Sequence, residues 1–227
     1  MASSSRCPFL PDSIREKQRT FNIKKGSTRI QKGMSLKASL IATLQGNVDL
    51  AEAVKLPPGE DLNEWMAINV FLFYEVSTNI YKACSEICTE TTCPKMTAGP
   101  TVTYAWADPR DKTAKPEEVP APVYIDKMLE WAFDVISDPA IFPQDDDVKF
   151  PKTFKKTVGS LFKRIFRMYA HLFHSHFAKI KENGAEAHLN SSFKHFVLFA
   201  LKFELIEEKE FVPLADLIAK LRAKTKA

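Results

Sequence analysis

Two thiols and two imidazoles in this sequence together have the composition of a metal site. Four residues separate Cys88 from Cys93, and four separate His171 from His176 much later in the chain. Zinc takes two thiolates and two imidazoles in tetrahedral structural sites, and four protein ligands leave no open position for catalysis. This composition favours a structural metal over a catalytic one.

The spacing of these residues leaves other ligand choices open. On a regular helix with 3.6 residues per turn, His171 and His176 point about 140° apart, whereas His174 lies closer in direction to His171. Cys84 competes with Cys88 in the same way. Buried thiols and unrelated surface histidines, with no metal between them, are the structural alternative.

A cluster of positive charge lies on the same segment as the histidines. Residues 149–181 contain nine Lys or Arg and no Asp or Glu, and Lys163, Arg164 and Arg167 stand beside apolar residues. Such a cluster suits a phosphorylated peptide, because phosphoserine and phosphothreonine accept charge-assisted hydrogen bonds from arginine. Nucleic acid is a rival ligand, but the adjoining segments are acidic and no nucleic-acid motif is recognised. A solvated basic face is the third interpretation.

The charge of the whole chain is segregated along the sequence. The formal net charge is +4, yet residues 1–37 carry nine basic and two acidic groups, and residues 101–148 carry four and eleven. Separate basic and acidic surfaces allow two partners of opposite charge to bind. We therefore expect one surface of each sign.

Length and composition predict one intracellular, soluble domain. The 227 residues are 45% hydrophobic, which suffices for a sizeable core. No apolar run is long enough for a membrane span, and the N-terminus lacks the apolar core of a signal peptide. Three of the four cysteines fall between Cys84 and Cys93, a clustering that suits a metal site in a reducing compartment.

Helical spacing of apolar residues predicts an all-α fold with four substantial helices in a bundle. The predicted helices cover 150–181, 62–87, 124–137 and 189–203, with a further helix after Pro213 and short helical turns at 36–44 and 49–55. Asp61 with Glu64 marks a helix start, and Asn183-Gly184 a helix end. Residues 1–34 are expected to form a flexible basic arm, and residues 35–227 a single helical domain.

The segment from 89 to 123 interrupts this helical pattern. It contains six prolines from Pro94 to Pro122, and Val102, Tyr104 and Trp106 alternate with small or polar residues. Alternation of this kind predicts a strand, as part of a small β-hairpin in a long loop. A loop of this length needs an anchor within the domain, and a metal bound between the cysteine and histidine pairs would provide one.

Four segments resemble the Mob family of kinase co-activators. They are LPPGEDLNEW at 56–65, CTETTCPKMTAGP at 88–100, FKRIFRMYAHLFHSHF at 162–177 and EAHLNSSFKHF at 186–196. The resemblance implies a helical fold around a four-helix bundle, a structural zinc ion and no catalytic activity. It also implies binding of NDR/LATS-type AGC kinases, in Hippo-like pathways that control mitotic exit, cytokinesis and growth.

The resemblance assigns roles to individual positions. It implies that Cys88, Cys93, His171 and His176 bind zinc, and that Lys163, Arg164 and Arg167 bind phosphorylated segments of an upstream Hippo-type kinase or scaffold. It implies an acidic kinase-binding surface with Glu60, Glu64 and Trp65, and with His195 nearby. Thr20 and Thr43 match threonines whose phosphorylation relieves inhibition by the N-terminal arm.

Leu72 departs from the pattern of that family. It stands where the co-activating branch usually has an aspartate on the kinase-facing helix. This departure supports an alternative, a Mob-like scaffold of another kinase or phosphatase complex with weakened NDR/LATS binding. For either function the resemblance implies a monomer in the cytoplasm, with the nucleus, the spindle poles and the division site as further locations.

Overall fold

The computed structural model describes residues 29, 35 and 49–225, and the secondary structure of this part is helical. The α-helices are α1 Leu50–Ala53, α2 Leu62–Cys84, α3 Ala121–Ser137, α4 Phe154–His171, α5 Phe177–Glu182, α6 Glu186–Lys202 and α7 Ala215–Thr225. A π-helical turn, Leu172–His176, joins α4 to α5, and a 3₁₀ segment, Glu208–Leu214, precedes α7. The predicted all-α fold is confirmed.

Local chemistry explains where the principal helices begin and end. The Asp61 side chain caps α2 by accepting hydrogen bonds from the backbone N–H groups of Asn63 and Glu64, which satisfies donors that have no partner within the helix. Gly184 follows α5 with a φ of 74°, a conformation that glycine adopts without steric cost. Both boundaries agree with the sequence-based prediction.

The core of the bundle is formed by α2, α3, α4 and α6, with α4 packed against both α2 and α3. Phenylalanine rings fill the centre: the ring of Phe162 on α4 stacks on Phe196 of α6 at 4.9 Å. The ring of Phe73 on α2 meets Phe162 edge-on at 5.4 Å. Stacked and edge-to-face geometries are those that aromatic pairs prefer. The apolar face of α4 therefore lies at the centre of the core, and the other helices of the bundle pack against it.

The segment between α2 and α3 contains no strand among the described residues, so the predicted β-hairpin is not formed. Two isolated antiparallel bridges replace it, Thr97 with Thr103 and Trp106 with Glu117. Prolines lack the N–H group that a β-ladder requires, and they interrupt this segment too often for pairing to extend. The alternation nevertheless placed two aromatic side chains correctly, because Tyr104 and Trp106 are both buried.

Several predictions for the N-terminal region fall outside the described residues. The flexible arm of residues 1–34 is described only at Arg29, and the predicted helix at 36–44, Thr20 and Thr43 are not described. Among the described helices, none is both long enough and apolar enough to span a lipid bilayer.

Candidate metal centre and cationic seat

Cys88, Cys93, His171 and His176 come together in one buried cluster, with their ligand atoms all within 4.8 Å of one another. The Sγ of Cys88 lies 3.5 Å from Nε2 of His171, and the Sγ of Cys93 lies 3.3 Å from Nε2 of His176. In a tetrahedral site with Zn–S of about 2.3 Å and Zn–N of about 2.0 Å, neighbouring ligand atoms lie about 3.5 Å apart. The cluster therefore has the size and the donor atoms to hold a metal ion.

The π-helical turn brings the two histidines to the same side of their helix. Backbone hydrogen bonds in a π-helix join residues five apart, one more than in an α-helix. His171 and His176 are five residues apart, so the turn at Leu172–His176 places one above the other on the same side of the helix. Their ring centroids lie 5.1 Å apart. A regular helix would have pointed them in different directions, and the extra residue removes that conflict.

The surroundings of the histidines leave their Nε2 atoms available for a metal. Nδ1 of His171 lies 2.8 Å from the carbonyl oxygen of Thr97, so Nδ1 carries the proton and donates it. This second hydrogen bond is the usual way in which a metal-binding histidine is oriented. Burial and, to a smaller extent, the nearby His171 lower the pKa of His176 to about 4. Both effects favour the neutral imidazole that a metal requires.

The thiols present the opposite situation. Burial raises the pKa of Cys88, and the neighbouring Cys93 raises it further. Without a cation the Cys88 sulfur stays protonated, and a metal ion would supply the positive charge that a thiolate needs. The cluster is thus suited to a cation on electrostatic as well as geometric grounds.

Hydrogen bonds between the Thr92 side chain and the backbone fix the turn between the two cysteines. The hydroxyl of Thr92 donates to the carbonyl of Ile87 at 2.9 Å and accepts from the backbone N–H of Thr89 at 2.9 Å. The carbonyl of Cys93 then accepts from the N–H of Ala121, the first residue of α3, at 2.9 Å. This hydrogen bond joins the two ends of the long loop, and a metal bound by the four residues would anchor the loop to α4.

The alternative ligands lie outside the cluster. Nε2 of His174 is 2.7 Å from the carbonyl oxygen of Pro213 and donates to it. A Cβ atom at Gly99, whose φ is 78°, would lie 3.2 Å from the His174 ring, so this glycine allows the ring to pack closely. Cys84 is a buried free thiol that does not belong to the four-ligand group.

A second group of chemistry-bearing side chains lies on α4, one turn before His171. The guanidinium carbon of Arg164 lies 4.8 Å from the centre of the Trp131 ring and 5.7 Å from that of Trp106. That of Arg167 lies 4.8 Å from the Tyr104 ring. Aromatic faces attract cations, more strongly where water is excluded. We call Lys163, Arg164 and Arg167, with these aromatic walls, the cationic seat.

The two arginines of the cationic seat differ in their partners. Arg167 donates to the hydroxyl of Tyr124 and to Oε2 of Glu210, each at 3.2 Å. Burial opposes the charge of Arg167, but Tyr124 and Glu210 raise its pKa overall. Burial lowers the pKa of Arg164, which makes no ion pair in the described part of the chain. Among the described residues, one guanidinium of the seat thus forms an ion pair and the other does not.

The predicted kinase-binding residues lie at different depths. Glu60 and Glu64 flank the cap of α2 and are half-buried, while Trp65 is 3% exposed and its Nε1 donates to the carbonyl of Val54 at 3.5 Å. His195 is buried on α6, with its ring 4.7 Å from that of Phe73. Of these four residues, only the two glutamates therefore offer side chains at the surface, and Trp65 and His195 are buried.

Arg29 contacts the acidic surface from the N-terminal arm. Its Nε lies 2.5 Å from Oε1 of Glu64, and its Nη1 donates to the carbonyl of Val148 at 2.8 Å. Its guanidinium also lies 5.1 Å from the centre of the Phe150 ring. Glu64 and a backbone carbonyl thus hold an arginine of this chain at the acidic surface.

Sequence reasoning missed Arg29 and Glu210 as site residues. Arg29 lies in a generally basic segment, and Glu210 is one of several acidic residues near the C-terminus, so no local pattern distinguishes either from its neighbours. The aromatic walls of the cationic seat carried a partial signal. Tyr104 and Trp106 were recognised as alternating residues, but their contacts with α4 depend on the tertiary fold.

The fold and the sites define a class of protein: a helical domain with a Cys₂His₂ metal cluster and separate basic and acidic surfaces. Comparison with known proteins agrees with this description. The family model described as Mob1/phocein matches residues 42–214. The chain belongs to the Mob1/phocein family.

Individual relatives extend the similarity to nearly the whole chain. MOB kinase activator-like 1B of Medicago sativa subsp. falcata is 47% identical over 201 residues, which cover 88% of this chain and 93% of that protein. MOB kinase activator-like 1B of Arabidopsis thaliana is 47% identical over 206 residues, covering 91% and 95%. The maintenance of ploidy protein mob1 of Schizosaccharomyces pombe is 42% identical over 200 residues, covering 88% and 94%.

Proposed function

We propose that this protein is a non-catalytic co-activator of protein kinases. The plant relatives are named kinase activators, and their similarity spans nearly the full length of the chain. A cluster in which all four metal ligands come from the protein leaves no open coordination position for a substrate. The observation that carries the proposal is the pairing of a cationic seat with an acidic surface on one metal-anchored bundle.

The metal in the proposed function is zinc, in a structural role. Two thiolates with two imidazoles at tetrahedral spacing form a set that zinc takes in structural sites. The ion would be held by Cys88, Cys93, His171 and His176 and would tie the loop after α2 to the end of α4. Its contribution is to fix the surfaces that partners bind.

The cationic seat is the proposed site for a phosphorylated segment of an upstream Hippo-type kinase or scaffold. Arg164 lacks a counter-ion among the described residues, and Lys163 lies beside it on α4. Phosphothreonine carries about −1.5 to −2 charges and accepts several hydrogen bonds from arginine. The aromatic walls exclude water, which strengthens such bonds. An anion of this kind supplies the charge that the seat lacks.

Peptide binding tests this half of the function. A short peptide with one phosphothreonine should bind the full chain, and its unphosphorylated form should bind far more weakly. Arg164→Gln should weaken binding by roughly tenfold or more, because one charge-assisted hydrogen bond is worth about 1.5–3 kcal/mol. Lys156→Gln, at an exposed position earlier on the same helix, is the matched control. Equal affinity for both peptides contradicts the proposal.

The acidic surface at Glu60 and Glu64 is the proposed site for the basic N-terminal extension of an NDR/LATS-type AGC kinase. The contact of Arg29 with Glu64 supports this, since it demonstrates the chemistry that the pocket accepts: a planar guanidinium held by a carboxylate and backbone carbonyls. It also supports inhibition by the N-terminal arm, with phosphorylation of Thr20 and Thr43 as the proposed signal for release. The cytoplasm, the nucleus and the division site are the proposed locations.

A binding assay with the isolated kinase extension tests the second half. Glu64→Lys should weaken binding by tenfold or more, because like charges then oppose each other at a half-buried position. Glu52→Lys makes the same charge change at an exposed position on α1 and serves as the control. Arg29→Ala should strengthen binding by vacating the pocket. Undiminished binding to Glu64→Lys refutes this site.

Leu72 supports the second candidate function, a scaffold of another kinase or phosphatase complex. Leu72 is 6% exposed and belongs to the hydrophobic core, so no charge is presented at this point of α2. Capture of the bound kinase from cells distinguishes the two candidates directly.

A further inference from the structure

Glu210 places a carboxylate inside the cationic seat. Its Oε2 lies 3.2 Å from Nη2 of Arg167, and both side chains are largely buried, with 15% and 19% exposed. The preceding acidic residues face outward, since Glu207 is 69% exposed beside Lys209 and Glu208 is 74% exposed beside Arg222. Of these three carboxylates, Glu210 is the one that forms an ion pair with an arginine of the cationic seat.

Arg167 does not need Glu210 to hold its position. Its Nη1 donates to the Tyr124 hydroxyl at 3.2 Å, and its guanidinium lies over the Tyr104 ring at 4.8 Å. These two contacts, one with the loop that precedes α3 and one with α3 itself, hold the guanidinium without Glu210. Glu210 therefore acts on the charge of the seat and not on the orientation of its arginine.

The charges of the cationic seat then determine how much negative charge a ligand needs in order to bind. Lys163, Arg164 and Arg167 carry three positive charges, and Glu210 cancels one of them. A peptide carboxylate brings a single negative charge, no more than the Glu210 carboxylate that it would have to displace. A phosphate brings about −1.5 to −2 charges and three acceptor oxygens, so it outcompetes that carboxylate.

We propose that Glu210 is an internal competitor of the cationic seat, which excludes peptide carboxylates and admits the more highly charged phosphate group. This inference rests on the proposed phosphopeptide function and names the residue that sets its specificity. Because the Glu210 carboxylate is already bound to Arg167, any ligand needs a higher negative charge to displace it. Random acidic segments, which are abundant among proteins, are thereby kept from the seat.

Removal of the Glu210 charge tests this inference. Three versions of one short peptide serve as probes, with phosphothreonine, threonine or glutamate at the same position. Glu210→Gln should bind the phosphothreonine peptide roughly three- to tenfold more tightly, because the cost of breaking an ion pair is removed. The glutamate peptide should gain by a similar factor and become measurably bound. Glu208→Gln, an exposed carboxylate on the same segment, should leave every affinity unchanged.

The outcomes separate this inference from the function on which it rests. If the wild-type chain binds the phosphothreonine peptide but Glu210→Gln binds it no better or more weakly, Glu210 is a support and the competitor is refuted, while the phosphopeptide site stands. An equal gain in Glu208→Gln refutes it as well, since the effect is then one of overall charge. No binding by the wild type or by any variant overturns both. Glu210→Ala, as a second variant, should show the same sign as Glu210→Gln.

Discussion

The metal centre and the cationic seat lie one turn apart on the same helical segment, yet they handle buried polar groups in opposite ways. In the metal centre, four ligand atoms converge within 4.8 Å of one another, so a single ion satisfies all of them. In the seat, Arg164 faces aromatic rings and has no carboxylate partner among the described residues. In the proposed function, the first arrangement stabilises the fold and the second binds an external ligand.

One further element contacts both regions. The 3₁₀ segment Glu208–Leu214 accepts a hydrogen bond from His174 through the Pro213 carbonyl, and it supplies Glu210 to Arg167. His174, which is excluded from the metal cluster, thus helps to place the competitor of the seat. Residues that lie next to a site without being part of it therefore influence how the site is used.

Loss of a metal ligand should have the largest effect on stability. Cys93→Ser should abolish metal binding and lower the free energy of unfolding by several kcal/mol. This is less than the roughly 10 kcal/mol typical of small zinc domains, because a helical core exists here. Metal content by mass spectrometry and chemical denaturation are the measurements. Cys84→Ser, a buried thiol outside the cluster, is the control and should keep the metal. A metal-free wild type of full stability would contradict the metal centre.

His195 provides a buried imidazole without a metal, and so isolates the cost of burial alone. Burial lowers the pKa of His195 from 6.5 to about 4. The unfolded state therefore binds a proton first, and stability that is fully present above pH 6.5 is lost as the pH falls towards 4. The loss should reach about 3 kcal/mol, at 1.36 kcal/mol for each pKa unit.

The control for His195 is His195→Phe, which keeps an aromatic ring beside Phe73. Denaturation curves for the two proteins between pH 7 and pH 4 give the difference due to His195 and cancel the effects of other titrating groups. Parallel pH profiles would show that His195 is accessible to protons in the folded state.

The cationic seat should respond in the opposite way to the metal centre. Arg164→Gln should change the free energy of unfolding by less than about 1 kcal/mol, because this substitution breaks no ion pair among the described residues. Its effect should appear in phosphopeptide affinity. Thermal denaturation and peptide titration of the same variant measure both quantities, and a destabilisation comparable with that of Cys93→Ser would remove the distinction between the two regions.

Deletion of Ser175 should have the smallest effect and tests the role of the π-helical turn. Without this exposed residue, His171 and His176 are four apart, a spacing that a regular α-helix places on one face. The variant should therefore keep one bound metal, and its free energy of unfolding should fall by about 1 kcal/mol or less. Deletion of Ala178, which lies after His176, shortens the segment without changing the histidine spacing and is the comparison. Loss of the metal on deletion of Ser175 would refute this explanation of the turn.

The sequence predicted the helices well because helix ends and faces are encoded locally. Asp61 and Gly184 act through groups within a few residues of themselves, and the apolar stripe of α4 follows from side-chain spacing alone. The hairpin prediction was wrong because strand pairing depends on backbone donors along two segments, and prolines interrupt both. Alternation identified which side chains are buried, but not what the backbone does.

For the sites, the sequence by itself determined the inventory: two thiols, two clustered imidazoles and a set of cations on one helix, within a chain of segregated charge. Regular helix geometry pointed to His174 and the resemblance to the Mob family to His176, and the folded chain brings His176 into the cluster through one extra residue in a π-helical turn. The same holds for Glu210 and Arg29, which reach their arginine and glutamate partners across 43 and 35 residues. Such contacts are set by packing between distant segments, and no local pattern records them.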